Sequence, residues 1–144
     1  MAQAVGNRAQ VYREIEQMFG RVPEWLKRMP DEVVGGFWSL YSGIDLGETK
    51  IPNKYKELIG LAVSGATRCK YCTFFHAEAA RLFGATEDEI AEAAALSGVT
   101  MMASTFINAE QIDYDAFRKE TLEIVKYVRD HQPKPAPAQP QARA

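Results

Sequence analysis

Cysteine is nearly absent from this chain: 144 residues hold only Cys69 and Cys72, three positions apart. A secreted disulfide scaffold would carry more cysteines, spread along the sequence. Long apolar runs are lacking too; the longest are a few residues, far short of a membrane span. Met1 to Gln10 has no apolar leader core, so no secretory signal is expected and the cytoplasm is the expected compartment. Neither charge sign dominates. Seventeen Lys and Arg against nineteen Asp and Glu leave a net charge of −2. Such a chain has no electrostatic reason to seek nucleic acid or an anionic membrane. Lys54, Lys56, Arg68 and Lys70 lie near the cysteines with acidic residues around them, and read as local tuning.

What is present suits one folded domain. Hydrophobic residues make up 47% and charged residues 25%, enough for a core without a metal or disulfide staple. No strand alternation is visible, and the expected fold class is all-α. Helical spacing predicts Arg8–Phe19, ended by Gly20, and a short turn opened by Pro23 carrying Trp25 and Leu26. A helix capped by Asp31 is expected to run to about Ser42, its Val33, Val34, Phe37, Trp38 and Tyr41 packing the core. A loop from Gly43 to Pro52 follows. Asn53 is expected to cap a strongly apolar helix to about Ser64, and a further helix spans about Cys69 to Phe83 before Gly84. Thr86 and Glu89 form a capping box opening a helix to about Leu96. Gly98 is expected to interrupt it before a helix from Val99 to about Gln111, with Met101 and Met102 as core filler. Tyr114 to Asp130 is the last helix. The expected domain covers residues 1–131; residues 132–144 form a Pro/Ala-rich tail whose composition favours extended, solvated chain.

The chemical signal is Cys69-Lys-Tyr-Cys72-Thr-Phe-Phe-His76. At about 100° per residue, Cys72 falls at about 300° from Cys69 and His76 at about 340°, all within a sector of about 60°. Two sulfurs one turn apart can close a disulfide without moving the backbone. The helix is expected to begin near Cys69, where unpaired backbone N–H groups favour a thiolate. His76, one turn beyond Cys72, is placed to take its proton, directly or through a water. Glu57 precedes the apolar stretch Leu58–Val63. If its helix packs antiparallel to the cysteine helix, Glu57 can orient His76; otherwise it is an exposed first-turn acid.

Other chemistries fit parts of the pattern. Two cysteines, His76 and an acid or His131 could bind zinc, but structural zinc draws on two separated ligand pairs and the second is missing. His131 otherwise reads as a solvated C-terminal residue. An acid–base site of Glu57 and His76, or a non-enzymatic redox-sensing oligomer, are the alternatives to a dithiol enzyme. No bound cofactor or metal is expected.

The run Lys54-Tyr-Lys-Glu57-Leu-Ile, then Cys69-Lys-Tyr-Cys72, His76 and Gly84-Ala85 before an acidic helix start resembles the alkylhydroperoxidase D-like branch of the carboxymuconolactone decarboxylase superfamily. The shared pattern is Glu-x11-Cys-x2-Cys-x3-His, and the similarity extends from about Val22 to about Asp113. The resemblance implies an all-α fold assembled into homotrimers or hexamers, with the site between the Glu57 helix and the cysteine helix. It implies hydroperoxide or disulfide reduction, with Cys72 attacking, Cys69 resolving, and a relay from Cys72 through His76 to Glu57. The reductant would be a thioredoxin-like or lipoyl-bearing protein. Decarboxylase-type members generally lack the cysteine pair. The chain departs from the well-studied peroxidases at Tyr71, where they carry a second histidine; tyrosine donates a hydrogen bond but does not titrate near neutrality.

Overall fold

A computed structural model describes residues 7–131; the Pro/Ala-rich tail lies outside them. Among the described residues every regular element is helical. These are α1 (Arg8–Phe19), α2 (Glu24–Lys27), α3 (Asp31–Leu40), a π-helical turn (Tyr41–Leu46), α4 (Asn53–Ala66), α5 (Lys70–Leu82), α6 (Glu87–Ala109) and α7 (Tyr114–His131). The chain divides into two compact units, residues up to Val99 and residues from Thr100.

In the first unit α1, α2 and α3 close around one apolar cluster. Val11 and Ile15 of α1, Val22, Leu26 of α2, and Val34 and Trp38 of α3 form it. The Trp38 ring meets Phe19 edge-on at 5.9 Å, and its indole N–H donates to Glu14 at 2.9 Å, so the polar tip of this buried ring is satisfied. The expected core role of the α3 stripe holds for Val34 and Trp38, whereas Val33 is about half exposed. A second packed layer is α4 against α5, with Leu61 and Ala80 buried in it.

Local chemistry explains most boundaries. Asn7 caps α1 by accepting from the Gln10 N–H at 3.0 Å, and Gly20 ends it at φ +73°. Thr86 and Glu89 form the reciprocal capping box, at 3.1 and 2.8 Å. The expected Asp31 and Asn53 caps are corrected. Pro30 and Pro52 occupy the entry positions, their fixed φ values of −57° and −56° leading into the helix. Asp31 instead pairs with Arg8 of α1, and the Asn53 amide donates to the Leu46 carbonyl at 3.1 Å. Part of the expected Gly43–Pro52 loop is the π-helical turn that continues α3, begun where Ser42 donates its hydroxyl to the Trp38 carbonyl at 2.6 Å.

Gly98 does not interrupt α6, which runs unbroken from Glu87 to Ala109. An interior glycine costs a helix about 1 kcal/mol relative to alanine, too little to outweigh the good helix formers around it. α6 is also long and apolar enough, by length and composition, to cross a membrane, which the short apolar runs did not suggest. No residue of α6 or α7 is buried. Met101 and Met102, expected in the core, are exposed, because the apolar residues of α6 are spread around its circumference and no described residue covers them.

Candidate active site

The site is built on the α4–α5 layer. α4 ends at Ala66, and Arg68 takes a left-handed conformation, φ +57°. The Cys69 N–H then returns to the Ser64 carbonyl at 3.0 Å and the Arg68 N–H to the Gly65 carbonyl at 3.2 Å. This closing pattern satisfies the last carbonyls of α4 and turns the chain directly into α5.

Cys69 is the N-cap residue of α5, half-buried, and its sulfur accepts the Cys72 backbone N–H at 3.3 Å. Cys72 lies in the first turn and is exposed. Both are reduced. The Cys69 thiol is pulled below its ordinary range, first by the hydrogen bond from the Cys72 thiol and then by the Cys72 backbone N–H. The Cys72 thiol is pushed up by the same bond and then by burial. The bond between the two sulfurs therefore makes Cys69 the more acidic thiol of the pair.

Glu57 is fully buried in the first half of α4. That removes the alternative of a solvated first-turn acid. Its Oε2 lies 2.7 Å from Nδ1 of His76, whose side chain is only 16% exposed. Oε1 is buried with no hydrogen-bond partner among the described residues. Burial accordingly pushes the Glu57 carboxyl above its ordinary range, although the bond and charge of His76 pull the other way. With Nδ1 occupied by the carboxylate, Nε2 is the ring nitrogen left for chemistry. No hydrogen bond joins His76 to either sulfur among the described residues, and one turn of α5 separates His76 from Cys72.

Tyr71 is 76% exposed, with the Lys70 ammonium 5.1 Å from its ring centroid. Lys54 is tied to Glu89 at 2.8 Å and Lys56 to the Gly47 carbonyl. Among the described residues, no group of three or more His, Cys, Asp or Glu is placed to hold a metal ion. His131 is exposed and stacks on Tyr127 at 4.1 Å, as a solvated C-terminal residue would.

Two residues at the edge of the site were not foreseen as such. Tyr41, read from sequence as core packing, opens the π-helical turn with its ring 6.3 Å from Phe75. Burial, then the charges of Asp45, Glu57 and Cys72, push its phenol well up, so it stays protonated. Asp45, in the same turn, acts on Glu57 as well. Nothing in their spacing marks them; the packing of the π-helical turn on α4 brings them near.

Comparison with known proteins places this geometry. Residues 32–110 match the carboxymuconolactone decarboxylase family. An alkyl hydroperoxide reductase of Mycobacterium tuberculosis is 32% identical over 116 residues, 78% of this chain; the chain spans only 32% of that relative's length. The crystal structure of an alkylhydroperoxidase AhpD core from Rhodospirillum rubrum superposes with a TM-score of 0.66 at 25% identity, covering 81% of this chain and 96% of that one. A protein from Methanobacterium thermoautotrophicum superposes at 0.53 with 37% identity, over 62% of this chain and 98% of that one.

Proposed function

The chain belongs to the carboxymuconolactone decarboxylase family, in its alkylhydroperoxidase D-like branch, and on that basis we propose that it is a dithiol peroxidase reducing hydroperoxides with Cys69 and Cys72. The observation that carries this reading is a fully buried Glu57 bonded at 2.7 Å to His76, on the helix whose N-cap and first turn hold the two sulfurs. A buried carboxylate is costly unless it has work or a partner, and here the partner is a base one turn from a thiol.

The proposed cycle uses the charge asymmetry of the pair. Cys69 is the more acidic thiol of the two, so the exposed Cys72 needs a base to become the nucleophile. His76 takes the Cys72 proton through Nε2, by way of a water or the substrate's hydroxyl, while Glu57 holds the ring at Nδ1. The Cys72 sulfur attacks the O–O bond, forming a sulfenic acid, and the leaving oxygen recovers the proton as an alcohol. The Cys69 sulfur then attacks the Cys72 sulfur: the S–S bond forms as the S–O bond breaks, and the hydroxide leaves as water with the proton given up by the Cys69 thiol. Two electrons pass from the dithiol to the peroxide, and a thioredoxin-like or lipoyl-bearing protein returns them by thiol–disulfide exchange. The same residues serve direct exchange with such partners. A reducing compartment, the cytoplasm, supplies them.

We also propose that the chain works as a homotrimer or hexamer, because α6 and α7 carry exposed Phe106, Leu122, Ile124 and Val125 that a second copy would cover. The test of activity is turnover of a hydroperoxide panel against dihydrolipoamide and a thioredoxin-like reductant. Consumption of peroxide that depends on both cysteines supports the reading. Oxidation of the dithiol once, without turnover under any reductant, would make the chain a redox sensor instead.

A further inference from the structure

Gly60 lies in the interior of α4, three residues beyond Glu57, so both occupy one face of the helix. Its backbone is not left-handed, so no conformational demand calls for glycine there, and apart from proline glycine is the residue a helix interior favours least. The demand is spatial. A Cβ at this position would stand 2.5 Å from both Cε1 and Nδ1 of His76 and 2.8 Å from Cγ. Those three atoms form the edge of the imidazole that bonds Glu57. Other helical glycines differ. Gly36 and Gly98 would meet nothing within 4 Å, and Gly65 would meet only a rotatable Ser97 hydroxyl at 3.1 Å. The Gly60 carbonyl also accepts the buried Ser64 hydroxyl at 2.6 Å, which ties this stretch of backbone down.

We propose that Gly60 is a positioning residue of the site: its bare Cα is the floor on which His76 lies, and that floor holds Nδ1 against Glu57 and leaves Nε2 free for the dithiol chemistry proposed above. The role rests on the dithiol reading for its effect on turnover, but not for its effect on the ring. A methyl group at position 60 must move the imidazole by about 1 Å to reach ordinary van der Waals distance, and a displacement of that size is enough to cost about 100-fold in a catalytic step. Moved that far, the 2.7 Å bond to Glu57 no longer meets hydrogen-bond geometry.

The test compares Gly60→Ala, His76→Ala, the double variant and the wild type, with Gly36→Ala as a control that adds a methyl in open space. The chain has two histidines, so the nitrogen-15 shifts of His76 are assigned by loss of one set in His76→Ala. In the wild type they should show a proton held on Nδ1. In Gly60→Ala that signature should be lost and turnover should fall about 100-fold. Gly36→Ala should change neither. Thermal midpoints supply a readout that needs no activity. Gly60→Ala should raise the midpoint in the His76→Ala background, where helix propensity acts alone, and fail to raise it when the ring is present. Equal midpoint changes in both backgrounds, or an unaltered His76 signature in Gly60→Ala, overturn the proposal. A wild type that turns over no peroxide refutes the dithiol reading and leaves the ring and stability measurements to decide on Gly60.

Discussion

Replacing Glu57 by Gln keeps the shape of the side chain and removes the charge that His76 faces at 2.7 Å. A hydrogen bond to a charged group is worth about 1.5–3 kcal/mol against about 0.5–1.5 for a neutral one, so the loss is roughly 1–1.5 kcal/mol. If that energy serves to hold the imidazole as the base for Cys72, alkylation of Cys72 at neutral pH should slow roughly five- to thirteenfold, at about 1.36 kcal/mol per power of ten. Part of the loss should return at alkaline pH, where the thiolate forms unaided. Stability gives a second reading with a defined sign. Burial raises the Glu57 carboxyl in the folded protein, so over the window from the ordinary carboxyl range up to that raised value the native state binds more protons than the unfolded chain. Stability contributed by the protonated form is present below the ordinary value and is lost as pH rises through the folded one. Gln does not titrate, so the stability of Glu57→Gln relative to wild type should improve from acid to neutral pH. The assay pairs the pH profile of Cys72 alkylation with urea midpoints at several pH values. An alkylation profile identical to wild type refutes the relay, even if the protein still reduces peroxides. A relative stability that falls as pH rises refutes the account of Glu57 as a carboxylate held against its burial.

In the cysteine pair, Cys72→Ser should abolish turnover, and Cys69→Ser should leave a sulfenic acid or mixed disulfide on Cys72, read by mass spectrometry after trapping with a sulfenic-acid reagent. The reverse pattern would show that the lowered thiol of Cys69, held down first by its bond with the Cys72 thiol, chooses the nucleophile. Light scattering should give a mass of at least three chains, and Phe106→Glu, placing a charge at a 64% exposed apolar position, should lower it; an unchanged mass would put Phe106 outside any interface. Thr86→Ala should lower stability by about 1 kcal/mol in urea titration, because it removes the acceptor of the Glu89 N–H. Gly98→Ala should raise stability by up to about 1 kcal/mol, since an added methyl meets nothing within 4 Å; a loss would mean that another chain packs against that point.

Much of this protein is written in short-range chemistry. The limits of α1, the left-handed glycines at positions 20 and 84, and the Thr86–Glu89 box follow from interactions within a few residues, and so were legible in the sequence. So was the common face of Cys69, Cys72 and His76, because three residues on one helix are related by its pitch alone. The spacing also named Glu57, but it could not say whether that acid faced water or a partner. Its burial, and the 2.7 Å contact across nineteen residues, exist only once α4 packs on α5. The same packing sets a histidine ring against Gly60, and the packing of the π-helical turn on α4 brings Tyr41 and Asp45 near the pair. Periodicity locates a residue on its own helix; which faces then meet, and which charges lose their water, depend on contacts between distant segments. For that reason the sequence placed the dithiol, while the packing of α4 on α5 supplied the buried acid and the bare backbone that meet His76.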